Sequence, residues 1–250
     1  MEERRNAIVE FVNQNGQISF QQLKDAFPEV SEMTLRTDLK ALDQERRIIR
    51  VHGGAKSVDV AIGTDDRMGR RMVRCAQEKQ LIARKAVGLL RPDTSIYLDS
   101  GSTTTALARM ISDQPYLIVT SGLSCALELA HLSQPKVLLP GGTMNRYSMS
   151  ISGSQAVKEL QGMHFHTLFL GVSAYSEQAG FTCGSQEECM LKQAVLERAE
   201  RVIVLMDSSK VGLTSTFSIC NVEDVDVIVS DGQLPHDLRT QWENQQVVVL

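Results

Sequence analysis

Residues 96–108 read IYLDSGSTTTALA. Ile96, Tyr97 and Leu98 suit a strand, and a helical pattern opens just beyond Gly101. Between them Asp99, Ser100, Gly101, Ser102, Thr103 and Thr104 make a small polar cradle where an ordinary turn would do. Free backbone N–H groups, hydroxyls and a helix start aimed at one point are what a bound anion requires. The stretch therefore predicts a strand–loop–helix unit with a ligand at the carboxyl end of the strand.

The same alternation continues along the chain. Strand candidates fall at 96–98, 117–120, 136–139, 168–172, 202–206, 225–229 and 247–250, several of them continuous aliphatic runs suited to burial on both faces. Helical stretches of about 10–15 residues separate them, such as 186–201, which is βαβ arithmetic. The expected architecture is an open, mostly parallel α/β sheet over residues 77–250. Polar clusters recur after its strands: Thr120-Ser121-Gly122, Gly141-Gly142 and Asp207-Ser208-Ser209-Lys210. Glycines allow close approach, hydroxyls donate to phosphate oxygens and Lys210 supplies a point charge. One strand-end serine is more often a helix cap than a ligand, but several such clusters on one edge reverse that expectation. No nucleotide-loop spacing of glycines is present.

Composition sets the bounds. The chain has 250 residues, 42% hydrophobic and 22% charged, with a formal net charge of −4. This is ordinary globular material, with no apolar run near the roughly 18 residues of a membrane span. The charged start MEERRNAIVEF shows no signal-peptide pattern, and five scattered cysteines suit reduced thiols, so a cytoplasmic protein is expected. Acids and bases balance over residues 1–56, yet Arg46, Arg47, Arg50, Lys56, Arg67, Arg70, Arg71 and Arg74 share their span with Asp59, Asp65 and Asp66 as its acids. No cofactor is expected. His164 and His166 would put two imidazoles on one strand face, but no further ligands accompany them, so no metal site is expected.

The first 57 residues read as a separate module, followed by a basic linker over 58–76. Ile8, Phe11 and Val12 stripe a first helix that Gly16 can end. Ser19 to Gln22 is a capping box opening a second helix, Phe27-Pro28 turns the chain, and Ser31 is the next N-cap. Leu35, Leu39 and Leu42 form the buried stripe of the third helix. Met33, Thr37, Lys40, Ala41 and Gln44 then point outward, with Thr34 and Arg36 on the flanks. IIRVHGGAKSV reads as a hairpin turning on Gly53-Gly54. A helix-turn-helix followed by such a wing offers a polar face to a DNA major groove, with Arg47, Arg50 and His52 in reach of phosphate or minor groove.

The run SEMTLRTDLKALDQERRIIRVHGGA, together with EKQLIARKAVGLL, IYLDSGSTTTALA, FLGVSA and MDSSKVG, closely resembles the DeoR/GlpR family of bacterial transcriptional regulators over nearly the whole chain. The resemblance implies a winged helix-turn-helix followed by a sensor domain related in fold to ribose-5-phosphate isomerase. Glu188 and Lys192, whose i, i+4 spacing alone means a surface ion pair, match an acidic residue and a lysine that the family places near its effector pocket. Two departures stand out. The family pattern usually has two arginines before the aspartate, where this chain has Arg36-Thr37-Asp38. Relatives often carry a helix-stopping glycine where it has Asp43-Gln44-Glu45-Arg46.

Two functions follow. The first is a repressor of carbohydrate genes, homo-oligomeric, that binds operator DNA through the first module and a phosphorylated sugar through the second. The alternative is a sugar-phosphate isomerase-like enzyme with an accessory domain, for which Asp99, Glu187, Glu188 or Asp207 would be the general base. The winged helix favours the first, because isomerisation has no use for it.

Overall fold

The computed structural model describes residues 2–51, 53–58 and 67–250. The chain divides into two compact units, Met1–Asp66 and Arg67–Leu250.

In the first unit, α1 (Glu2–Asn15) leads through β1 (Gln17–Ser19) to α2 (Phe20–Ala26), α3 (Glu32–Gln44) and the hairpin of β2 (Ile49–Val51) and β3 (Gly54–Lys56). Ser19 caps α2 through the capping box, and the Ser31 side chain accepts the Thr34 N–H at the start of α3. The short strand β1 has no counterpart in the sequence reading; it joins the wing to make a three-stranded sheet in the order β1-β3-β2. That close approach requires Gly54, because a Cβ there would meet the Ile18 carbonyl oxygen at 2.0 Å. Ile8, Val12, Ile18, Leu23, Leu35, Leu39, Leu42, Ile48 and Ala55 form one core. Asp38 clamps α3 to α1: it accepts from Arg4 at 2.7 Å and Arg5 at 3.0 Å. Burial pushes its carboxyl up, but the two guanidinium groups outweigh that and hold it below the usual range.

The second unit begins with α4 (Met68–Val73) and α5 (Ala76–Val87), so residues 67–76, read as linker, belong to it; 59–66 lie outside the described residues. A seven-stranded sheet follows in the order β15-β14-β12-β9-β4-β5-β6, every pairing parallel. Its strands are β4 (Ser95–Leu98), β5 (Leu117–Thr120), β6 (Lys136–Leu138), β9 (Thr167–Gly171), β12 (Val202–Leu205), β14 (Val227–Val229) and β15 (Val248–Val249). Alternate residues feed two cores. Tyr97, Leu168, Leu170 and Val204 face one, with α8 (Ser154–Gln161), α9 (Gln186–Leu196) and α10 (His236–Asn244); Ile96, Leu98, Phe169 and Ile203 face the other, with α5, α6 (Ser102–Ala108) and α7 (Leu123–Leu129). The order β6-β5-β4 runs one way from the centre and β9-β12-β14-β15 the other, so the topological switch point lies between β4 and β9.

Two small antiparallel additions complete the unit: the hairpin β7 (Thr143–Asn145) with β8 (Ser150–Ser152), and a sheet of β10 (Ala174–Ser176), β11 (Gly180–Cys183) and β13 (Phe217–Cys220). His164 and His166 flank an isolated bridge at Phe165, and His166 Nδ1 lies 2.9 Å from Glu200. No helix among the described residues is long and apolar enough to cross a membrane.

The end of α3 explains the missing glycine. Arg46 sits at φ 56, with its N–H on the Asp43 carbonyl (3.0 Å) and the Arg47 N–H on that of Leu42 (2.9 Å), a Schellman closure. A side chain in this left-handed position costs about 1 kcal/mol. Arg46→Gly is therefore expected to stabilise the first unit by about 0.5–1 kcal/mol. Urea unfolding read by circular dichroism reports the gain, while fluorescence of the single tryptophan, Trp242 in the second unit, stays unchanged.

Candidate functional site

The exposed side of α3 is the candidate DNA-reading face. Glu32, Met33, Arg36, Thr37, Lys40 and Arg50 line an open groove of about 500 Å³. Arg36 stacks its guanidinium 4.2 Å above the centroid of the Phe20 ring, which orders its plane, and its Nη2 lies 3.8 Å from Glu32 Oε2. Lys40 and Arg50 are exposed beside it. Ser31 and Thr34 share a hydroxyl contact of 2.8 Å at the helix start. Arg47 is half-buried and donates to Asn6 at 2.5 Å, so in the free protein it braces α1. His52 lies outside the described residues.

At the switch point of the larger unit, Asp99 leaves β4 and lies 1% exposed. Its Oδ2 accepts the Gly171 N–H at 2.9 Å, at the end of β9, and forms an ion pair with Lys192 of α9. Lys192 also donates to the Gly171 carbonyl at 2.8 Å. Burial pushes the Asp99 carboxyl up against the pull of Lys192. Burial lowers the ammonium of Lys192, but the charge and hydrogen bond of Asp99 together with Cys183 and Glu188 outweigh it, and the net shift is upward. Glu188, also buried, accepts from the hydroxyls of Ser148 (2.5 Å) and Ser150 (2.6 Å) beside the β7–β8 hairpin. Glu188 and Lys192 are thus both buried, with separate hydrogen-bond partners, and do not form the surface ion pair that their spacing alone suggests. The i, i+4 spacing showed that they share a helix face, and nothing in it showed that this face is buried.

Further cations converge here. Asp207 pairs with Lys210 at 3.7 Å. Burial raises the Asp207 carboxyl, but Lys210, the Ser209 hydroxyl and Lys79 hold it below the usual range. Lys210 is lowered, first by burial and then by Arg71 and Lys192 against the pull of Asp207. Lys79, donating to the carbonyls of Arg71 and Arg74, is lowered to about 8 by burial and by the Lys210 charge. A Cβ at Gly101, which has φ 149, would lie 3.2 Å from the Arg71 guanidinium. In the sequence Arg71 reads as part of the basic linker, and Lys79 is not singled out. Four cations thus face Asp99, Asp207 and Glu188, an excess of positive charge.

The cradle itself divides. Thr104 Oγ1 donates back to the Gly101 carbonyl at 3.0 Å, and Thr105 does the same at 2.6 Å, so these hydrogens are spent within α6. Ser100, Ser102 and Thr103 are buried, and their hydroxyls make no hydrogen bond among the described residues. The first-turn N–H groups of α6 have no intrahelical acceptor. Thr120 Oγ1 accepts the Gly122 N–H at 3.0 Å, and Ser121 Oγ and Tyr97 OH are buried with no hydrogen bond among the described residues. Gly141 donates to Glu159 at 2.9 Å, and a Cβ on Gly142 would meet the Ser152 carbonyl at 2.5 Å, so both glycines serve the packing of α8 and the hairpin.

Known proteins agree with this layout. Residues 4–61 match the DeoR-like helix-turn-helix domain, and residues 74–232 the DeoR C terminal sensor domain. The HTH-type transcriptional regulator GlpR of Haloferax volcanii is 32% identical over 99% of this chain and 96% of its own. GolR of Listeria innocua, likewise an HTH-type transcriptional regulator, is 30% identical over 97% and 95%. The HTH-type transcriptional repressor GlcR of Bacillus subtilis is 29% identical over 94% and 90%. Ribose 5-phosphate isomerase A from Methanocaldococcus jannaschii superposes with a TM-score of 0.41 at 17% identity over 55% of each chain, too distant to bear on activity. With both domains matched in order and relatives aligned end to end, the chain belongs to the DeoR family of transcriptional regulators.

Proposed function

We propose that this regulator is a cytoplasmic, homo-oligomeric repressor of carbohydrate genes whose operator binding is controlled by a phosphorylated sugar held at the β4/β9 switch point. The observation that carries it is the convergence of Arg71, Lys79, Lys192 and Lys210 on the buried cradle after β4. Burial and then neighbouring positive charge depress Lys79 and Lys210, and a bound anion relieves both. Unspent hydroxyls at Ser100, Ser102 and Thr103 and the free N–H groups of α6 suit phosphate oxygens, while Asp99, Glu188 and Asp207 suit sugar hydroxyls. The enzymatic alternative is less well supported, because each buried carboxylate is already engaged: Asp99 by Lys192, Glu188 by two serines, Asp207 by Lys210 and Ser209. A general base needs a free, suitably tuned group. On α3 and the wing, Arg36 and Lys40 serve base contact, and Arg47 and Arg50 serve phosphate.

Thermal shift against a panel of sugar phosphates and their unphosphorylated parents tests the reading, since a bound ligand stabilises by mass action. Phosphorylated compounds alone are expected to raise the melting temperature. Lys210→Ala is expected to weaken that ligand by about 1.5–3 kcal/mol, roughly ten- to hundredfold, with operator affinity unchanged. Turnover of a sugar phosphate, abolished by the same substitution, would refute it.

The pH profile has a defined sign. An anion favours protonated Lys79, whose pKa in the free protein is about 8. Affinity for the sugar phosphate is therefore flat near pH 7 and falls as pH rises through 8 to 9. Lys79→Arg, which keeps its charge, is expected to reduce that fall in isothermal titration calorimetry.

Asp99→Asn acts differently from a simple pocket lesion, because it strands the Lys192 charge. It is expected to destabilise the second unit by roughly 3–5 kcal/mol, and Asp99→Asn with Lys192→Met to recover much of the loss. Trp242 fluorescence in urea measures both.

A further inference from the structure

The departure at Thr37 has a specific chemical consequence. The Thr37 hydroxyl donates to the Met33 carbonyl one turn back at 2.8 Å. That bond spends its hydrogen within α3 and turns the γ-methyl away from the helix axis. One turn earlier on the same face stands Met33, 81% exposed, an unusual position for a large apolar side chain. Methionine and the threonine methyl thus form an apolar spot on an otherwise charged reading face, flanked by Arg36 and Lys40. An arginine at position 37 would erase that spot.

A major groove offers a single apolar group, the 5-methyl of thymine; every other base-edge feature there is a donor or an acceptor. We propose that Met33 and Thr37 read a thymine methyl in each operator half-site, making them specificity-determining residues of this chain. The basic flanks fix the occupant as DNA, since they suit phosphates and guanine edges on either side of the contact. The inference rests on α3 being the reading helix.

The test starts from an operator selected by the full-length protein from a randomised duplex library. Each thymine is then replaced singly by deoxyuridine, which removes the methyl and leaves the base pair intact. One position per half-site is expected to lose about three- to fivefold in affinity, the worth of one buried methyl. The variants separate methyl from hydroxyl. Thr37→Val keeps outward methyls and is expected to retain the deoxyuridine penalty. Thr37→Ser keeps the hydroxyl, and with Met33→Ala it is expected to abolish the penalty. Binding that is indifferent to every thymine methyl would overturn the proposal. So would a preference kept by Thr37→Ser and lost by Thr37→Val, which would mean the hydroxyl reads the base. A protein that selects no sequence at all would refute the deeper assignment of α3.

Discussion

The larger unit depends on one buried ion pair, Asp99 with Lys192. Two charges removed from water cost several kcal/mol each, and only close pairing with further hydrogen bonds offsets that. The Gly171 peptide supplies those bonds by donating its N–H to Asp99 and accepting from Lys192 through its carbonyl. Three elements distant in sequence, the ends of β4 and β9 and the middle of α9, are thereby held together at the point where strand order reverses. The crevice that open α/β sheets leave there is thus lined by fixed polar groups. Its remaining cations, Arg71, Lys79 and Lys210, outnumber the carboxylates Asp207 and Glu188, and that residual imbalance is the electrostatic basis of the proposed anion site.

A similar device works at smaller scale in the first unit. Asp38 lies on the inner side of α3 and is held by Arg4 and Arg5, so the carboxylate within the Arg-Thr-Asp run orients the helix and leaves reading to its neighbours. Phe20 orders Arg36 from the opposite flank. The reading face is thus set by contacts that never touch DNA, which lowers the ordering cost of binding.

Features with a long hydrophobic period were legible in the sequence. The β-strand runs near 96, 117, 168 and 202 announced a sheet buried on both faces, and the leucines 35, 39 and 42 gave the phase of α3 correctly. The short antiparallel additions were not: β7, β8, β10, β11 and β13 run only three or four residues, too few for alternation to register, and their pairing is decided by tertiary contact. The candidate site was legible as a place more than as a set of roles. Asp99 and Lys210 stood out as polar residues after apolar runs, whereas the burial of Lys192 and Glu188 depends on what packs over α9. Thr104 looked like an anion donor, but its hydroxyl closes on Gly101, a local competition that spacing alone does not reveal.

Lys79 has a consequence beyond its charge. It ties the carbonyls of Arg71 and Arg74 to α5, so it fixes the end of α4, and α4 is the first element the chain forms after the DNA-binding unit. The guanidinium beside Gly101 belongs to that same short helix. The proposed anion site thus includes a side chain only four residues from where the larger unit begins.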